Sequence, residues 1–193
     1  MTENAAREKA TDAPAARLTS LAAVVGATKL RGPAPVDKWH PPYCGEIDMR
    51  IAADGTWYYA GTPIQRPAMV QLFSGILRKD PERYVLVTPV ECVGITVDDV
   101  PFIAAAMEAQ DGTLRFATNL GDEVEAGAEH PMRFSVDADG GIKPYVHIRG
   151  GLWARLTRTL AIDLLDRAEE RDGAVGIASG DAFFPVGASE PQA

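Results

Sequence analysis

Alternation of apolar and polar positions organises the chain from residue 45 onward. In GEIDMRIA, Gly45 to Ala52, the residues Ile47, Met49 and Ile51 share one side of an extended segment, and Glu46, Asp48 and Arg50 share the other. Thr56 to Gly61 follows across Asp54-Gly55, a pair that tolerates positive φ, so the two segments predict a hairpin. A two-residue loop would set Ile51 opposite Tyr58 and Arg50 opposite Tyr59. Further hairpins are expected in FIAAAMEAQDGTLRFATNL, turning at Asp111-Gly112, and in MRFSVDADGGIKPYVHIRG, turning near Asp139-Gly140. YVLVTPVECVGITVDDVPF is strand-rich, with interruptions at Pro89 and Gly94.

Helical spacing stands out in three places. Leu18, Leu21, Ala22 and Val25 predict a short N-terminal helix ending near Gly26, behind a tail (residues 1–14) without periodicity that reads as disordered. Thr62 to Pro81 predicts a second helix. Pro67 sits in its first turn, Met69, Leu72, Phe73 and Ile76 form a stripe, Arg78 and Lys79 lie at the negative end, and Pro81 is the stop. Gly151 to Glu170 carries the strongest helical pattern, with Trp153, Leu156, Leu160 and Leu164 on one face. Between the first two, the prolines from Pro33 to Pro42 force an extended lead-in.

These elements describe an α+β fold with antiparallel, hairpin-rich sheets in two tandem modules, each carrying a helix. The boundaries read as residues 1–30 for the tail and short helix, 31–100 and 101–170 for the modules, and 171–193 for a C-terminal tail. The tail is Gly and Ala rich apart from AFFPVG. Parallel βαβ alternation is missing, which disfavours a doubly wound sheet.

Charge narrows the function classes. The 193 residues carry a net charge of −8, and no basic run is interleaved with aromatics, so nucleic acid is not an expected partner. No apolar segment reaches the ~20 residues that span a bilayer. LTSLAAVVGA, behind Glu3, Glu8 and Asp12, makes a poor signal peptide. A cytoplasmic protein with no membrane contact is expected, its two cysteines, Cys44 and Cys92, reduced.

The standard chemistries fail on spacing. No Walker A loop, dinucleotide-binding glycine motif or G-x-S-x-G elbow occurs. His40, Cys44, Cys92 and His147 lack the close pairing of zinc ligands, so neither metal nor other cofactor is expected. Cys44 reads as a small buried thiol. Glu46 and Asp48, two residues apart on one strand face, have the ~7 Å spacing of an acid/base pair, although Arg50 in the same row would keep Asp48 ionised. Glu91 shares its alternation phase with Val93, Ile95 and Val97, which calls for a partner such as Arg50 or Arg66, or for a bulge that exposes it. Tyr145, His147 and Arg149 fall in one row, opposite Val146 and Ile148, and could hold an anion or a carboxylate.

Several long stretches, KWHPPYCGEIDMRIAADGTWYYAGTPIQRP, YVLVTPVECVGITVDDVPF, TNLGDEV and KPYVHIRGGLWARLTR, resemble a family of uncharacterised proteobacterial proteins, a domain of unknown function. The likeness covers roughly residues 31–187. It implies a cytosolic bacterial protein with two related α+β modules in tandem, and it carries no activity, cofactor or catalytic residue onto particular positions.

The leading reading is a non-enzymatic binding or signalling module for a small anionic molecule or a peptide, with Asp48, Arg50, Tyr59, Glu91, His147 and Arg149 as ligand-binding candidates. The arginines would clamp the anion, Tyr59 would stack or hydrogen-bond, and Glu91 would orient Arg50. A hydrolase using Glu46 and Asp48, or Cys44, is the second reading. The third is an assembly protein, a homo-oligomer joined through a sheet edge or AFFPVG.

Overall fold

Period-two alternation wins over helical spacing nearly everywhere in this molecule. The computed structural model describes residues 33–137 and 139–187. The helix expected at Leu18 to Gly26 and the tail expected over residues 1–14 lie outside the described residues. The chain divides into two units, the first ending at Asp99 and the second beginning at Val100.

The first unit comprises β1 (Tyr43–Ile51), β2 (Trp57–Tyr59), β3 (Thr62–Pro63), α1 (Pro67–Ser74), β4 (Leu77–Asp80), β5 (Arg83–Val87) and β6 (Cys92–Val97). Its strands form one sheet in the order β3-β2-β1-β6-β5-β4. The second unit contains β7 (Phe102–Gln110), β8 (Thr113–Thr118), β9 (Glu123–Glu125), β10 (Met132–Val136), β11 (Ile142–Arg149), β12 (Leu152–Leu156) and α2 (Arg158–Leu165). Its main sheet runs β10-β11-β12-β7-β8-β9, and β13 (Glu169–Arg171), β14 (Ala174–Ser179) and β15 (Ala182–Pro185) form a separate three-stranded sheet.

Both six-stranded sheets follow one plan. Two three-stranded antiparallel meanders lie side by side, and the first strand of one pairs in parallel with the last strand of the other. The parallel seams are β1–β6 and β12–β7. The sheets are therefore mixed, not purely antiparallel as expected. A parallel pair between remote strands leaves no local mark in the sequence, because it needs no tight turn.

Both long helices expected from the sequence shrink to two turns. Leu77 to Asp80 is a strand paired with Arg83 to Leu86 of β5, so Arg78 and Lys79 lie in β4 and not at a helix end. Pro67 does start α1, where its missing N–H costs nothing. In the second case Leu152, Ala154 and Leu156 are buried in β12 between β11 and β7, and Trp153 points to the other face. Thr157 then caps α2, its hydroxyl accepting from Leu160 N at 3.4 Å. From residue 171, where a tail was expected, the chain builds β14 and β15, and AFFP is itself β15.

The cores follow the alternation. Met49, Ile51, Trp57, Phe73, Ile76, Leu77 and Leu86 are almost fully buried in the first unit, and Phe102, Phe116, Leu152, Ala154 and Leu164 in the second. Each large side chain of this kind contributes about 1.5–3 kcal/mol. Val36 and Trp39 of the proline-rich lead-in pack against Val85, Val87 and Cys92, and Arg78 donates to the carbonyls of Val36 and Trp39 at 3.1 and 2.9 Å. The lead-in is thereby tied to the sheet. No helix among the described residues is long and apolar enough to cross a membrane.

Candidate functional site

The first hairpin decides which tyrosine accompanies Arg50. Gly55 N donates to Ala52 O at 2.9 Å and Ala52 N to Thr56 O at 2.9 Å, with Gly55 at φ 85°. The loop is therefore three residues, Ala53 to Gly55, and ends in a residue with positive φ. One extra residue shifts the register by one: Arg50 lies opposite Tyr58 and Ile51 opposite Trp57. Tyr59 lies opposite buried Met49 and so belongs to the apolar side. The Arg50 guanidinium sits 5.9 Å from the Tyr58 ring.

Arg50 is already engaged. Its Nε and Nη2 reach the Asp98 carboxylate at 2.8 and 2.5 Å, and these bonds hold Asp98 below its ordinary pKa. Glu91 does not orient Arg50. It ends the tight turn Thr88–Glu91, where its N–H bonds Thr88 Oγ1 at 3.1 Å, and it precedes β6 instead of lying on its apolar face. Glu46 lies across Gly94, whose missing side chain lets the carboxylate rest there: a Cβ would stand 2.3 Å from it. Glu46 accepts from the Tyr43 hydroxyl and lies 3.9 Å from Arg83, whose guanidinium covers the Tyr43 ring at 4.8 Å. Asp48 is exposed in the same row. Cys44 is exposed, not buried as expected, because it opens the strand ahead of the covered part of the sheet. Cys92 is the buried thiol, and burial raises its pKa.

In the second unit a bulge separates two expected neighbours. His147 lies opposite Trp153, but the register slips before Arg149, which lies opposite Leu152. Arg149 is thus turned to the side of Leu152 and Phe102, 4.9 Å above the Phe102 ring, and bonds Asp122. His147 remains on the Tyr145 and Trp153 side, its ring 5.3 Å from Trp153 and 5.9 Å from His130. The row Tyr145, His147, Arg149 is broken.

The second unit also holds an open groove of about 870 Å³ that sequence reasoning missed. Its walls are β9 with the following residues to His130, and the turn between β14 and β15. Ser179 fixes that turn. Buried at 1% exposure, its hydroxyl accepts from Leu114 N at 2.9 Å and donates to Ala126 O at 2.8 Å, while Gly180 N donates to Gly112 O at 2.9 Å. The hydroxyl stands between a donor and an acceptor of neighbouring chain segments. The signal in the sequence was the Gly180-Asp181 pair between two apolar stretches, which marks a hairpin turn.

β9 is the last strand of its sheet. Thr118 N bonds Asp122 O and Ala126 N bonds Leu114 O, both at 2.8 Å, so the even-numbered residues of this segment face β8. The backbone N–H and C=O groups of Glu123 and Glu125 consequently point outward. Glu123, Glu125, Glu129 and Asp181 line the groove beside Arg115 and His130, and Arg115 pairs with Glu125 at 2.6 Å. Among the described residues no group of three or more His, Cys, Asp or Glu is placed to hold a metal.

Models of a domain of unknown function, DUF1285, match consecutive parts of the chain: the N-terminal domain over residues 34–100 and the C-terminal domain over residues 101–186. The chain belongs to the DUF1285 family. A crystal structure of a DUF1285 family protein from Silicibacter pomeroyi DSS-3 is 52% identical, with a TM-score of 0.80, over 86% of this chain and 93% of that one. A second DUF1285 protein, from Shewanella baltica OS155, is 27% identical with a TM-score of 0.52 over 62% of this chain and 91% of that one. No curated protein matches the chain. DUF1285 membership agrees with the resemblance read from the sequence and assigns no activity.

Proposed function

We propose that the second unit is a non-enzymatic binding module that takes an extended peptide as an added strand on the outer edge of β9. The observation that carries this reading is the outward-facing backbone of Glu123 and Glu125 beside the groove. Such an edge offers main-chain hydrogen bonds to any extended partner, and the groove gives its side chains somewhere to go. Carboxylates outnumber cations along the lining, which favours a peptide bearing Lys or Arg over the small anion considered from the sequence. The Arg50 row in the first unit is weaker support for an anion, because Asp98 already occupies the guanidinium.

Titration of the chain with an alternating Lys–Thr peptide tests the reading by NMR. The expected outcome is saturable shifts at the amides of Glu123 and Glu125, lost in Glu125→Pro. That change removes an outward N–H and leaves the β8 ladder its own donors. Shifts dispersed over the surface would refute it, as would a dimer through β9 that excludes the peptide.

A further inference from the structure

His147 is held in a single protonation state by two partners of opposite kind. Its Nδ1 lies 3.1 Å from the carbonyl oxygen of Glu129, which can only accept. Its Nε2 lies 3.2 Å from the backbone nitrogen of Gly151, which can only donate. Nδ1 therefore carries the hydrogen, Nε2 offers a lone pair, and the ring is neutral. Around the same residue, His147 N donates to Pro131 O at 2.9 Å and His130 Nδ1 donates to His147 O at 3.2 Å. Four contacts thus tie residues 129–131 and the β11–β12 turn to one side chain and its peptide. Glu129 and His130 line the groove.

We infer that His147 is a proton-operated latch on the groove wall: a proton on Nε2 sets N–H against the Gly151 N–H, releases the ring and loosens residues 129–131. The effect on peptide binding rests on the reading of the groove given above; the latch itself does not.

The surroundings resist the proton. From the groove wall the neighbouring titratable group is His130, stacked at 5.9 Å, and Glu129 presents its carbonyl to the ring. From β12 comes Trp153, with Arg133 of β10 lying 4.4 Å over the indole. On β11 itself, Arg149 is turned to the other face with Asp122. Among the described residues no carboxylate pairs with the ring. Burial pushes the imidazole below its ordinary value of 6.5 and outweighs the Glu129 carbonyl, whose bond to Nδ1–H favours the charged ring; His130 pushes the same way as burial. The sign then follows from linkage. The contribution is fully present above about pH 6.5, where unfolded histidine is neutral, and is lost as pH falls toward the lower folded value.

Ring nitrogen shifts and amide exchange of the full chain, followed between about pH 7.5 and about pH 5, test the latch. The expected result is an Nδ1–H tautomer at His147 and loss of Gly151 and His147 amide protection at the His147 midpoint, beyond the intrinsic pH effect. His147→Gln, whose carbonyl can still accept from Gly151 and does not titrate, should remove that pH dependence. An Nε2–H tautomer, or protection at Gly151 that ignores pH in the wild type, would overturn the latch even if the variant did not fold. Affinity for the alternating Lys–Thr peptide should drop about tenfold per pH unit below the midpoint in the wild type only, one proton being linked. If the peptide fails to bind at any pH while Gly151 still responds, the groove reading falls and the latch stands.

Discussion

The two units share a strand plan but place the ion pairs of Arg50 and Arg149 differently. In the first, Arg50–Asp98 and Glu46–Arg83 lie on an exposed sheet face, with Arg50 52% and Glu46 61% exposed. In the second, Arg149–Asp122 is drawn in beside Phe102, at 24% and 17% exposure. The difference originates in one backbone irregularity, the bulge before Arg149, which moves a guanidinium from the polar row to the apolar side. Topology alone therefore does not say whether a charged residue near a strand end is solvated decoration or part of the packing.

The largest test of this contrast is Asp122→Ala against Asp98→Ala. Losing Asp122 takes the carboxylate away from a largely buried Arg149, at a cost of about 3 kcal/mol in chemical denaturation, because removing the countercharge of a buried ion is expensive. Asp98→Ala, on an exposed pair, should move the unfolding midpoint far less. Equal losses from both substitutions would erase the distinction between the two pairs.

Next in size is Ser179→Ala, expected to cost about 1–3 kcal/mol by orphaning Leu114 N–H and Ala126 C=O. It should also lower hydrogen-exchange protection at Leu114 before it does so at Phe116. The first unit has no counterpart among the described residues, since only the second adds a three-stranded sheet to its six-stranded one.

Two glycines complete the series, one matching Ser179→Ala in cost and the other the smallest effect. A Cβ at Gly176 would stand 2.7 Å from the Phe184 carbonyl oxygen and 2.5 Å from the Phe183 ring, so Gly176→Ala is expected to cost about 1–3 kcal/mol through overpacking. At Gly94 the obstacle is only the exposed end of Glu46, which can swing aside. Gly94→Ala should therefore stay within about 0.5 kcal/mol of wild type. Its signature is spectroscopic: Glu46 is the main cause of the raised Tyr43 pKa, and displacing it should bring the phenol titration down toward 10.0.

Legibility in the sequence tracked locality. The inward set Met49, Ile51 and the outward set Glu46, Asp48, Arg50 were readable because alternation is a two-residue pattern. The two-residue turn at Asp111-Gly112 was readable as well, and both residues have positive φ there. Asp54-Gly55 misled by one residue, because the same pair also closes a three-residue loop, and that one residue exchanged Tyr58 for Tyr59. The stretch from Leu152 to Leu164 misled for another reason. Its leucines satisfy both periods, and pairing on both sides, with β11 and with β7 some fifty residues earlier, selects the strand. Ser179 and Asp122 were invisible for the same cause, since their partners are remote in sequence.

The parallel seams have a kinetic consequence. Hairpins such as β7–β8 can close within microseconds, but each seam joins segments about fifty residues apart, Glu46 with Gly94 and Phe102 with Ala154. On a ribosome neither sheet can be completed until its sixth strand has emerged, however early its hairpins form. Until then the unpaired flanks of β1 and β7 wait for partners that have not been synthesised, and this interval is when the nascent chain most needs protection from neighbouring strands.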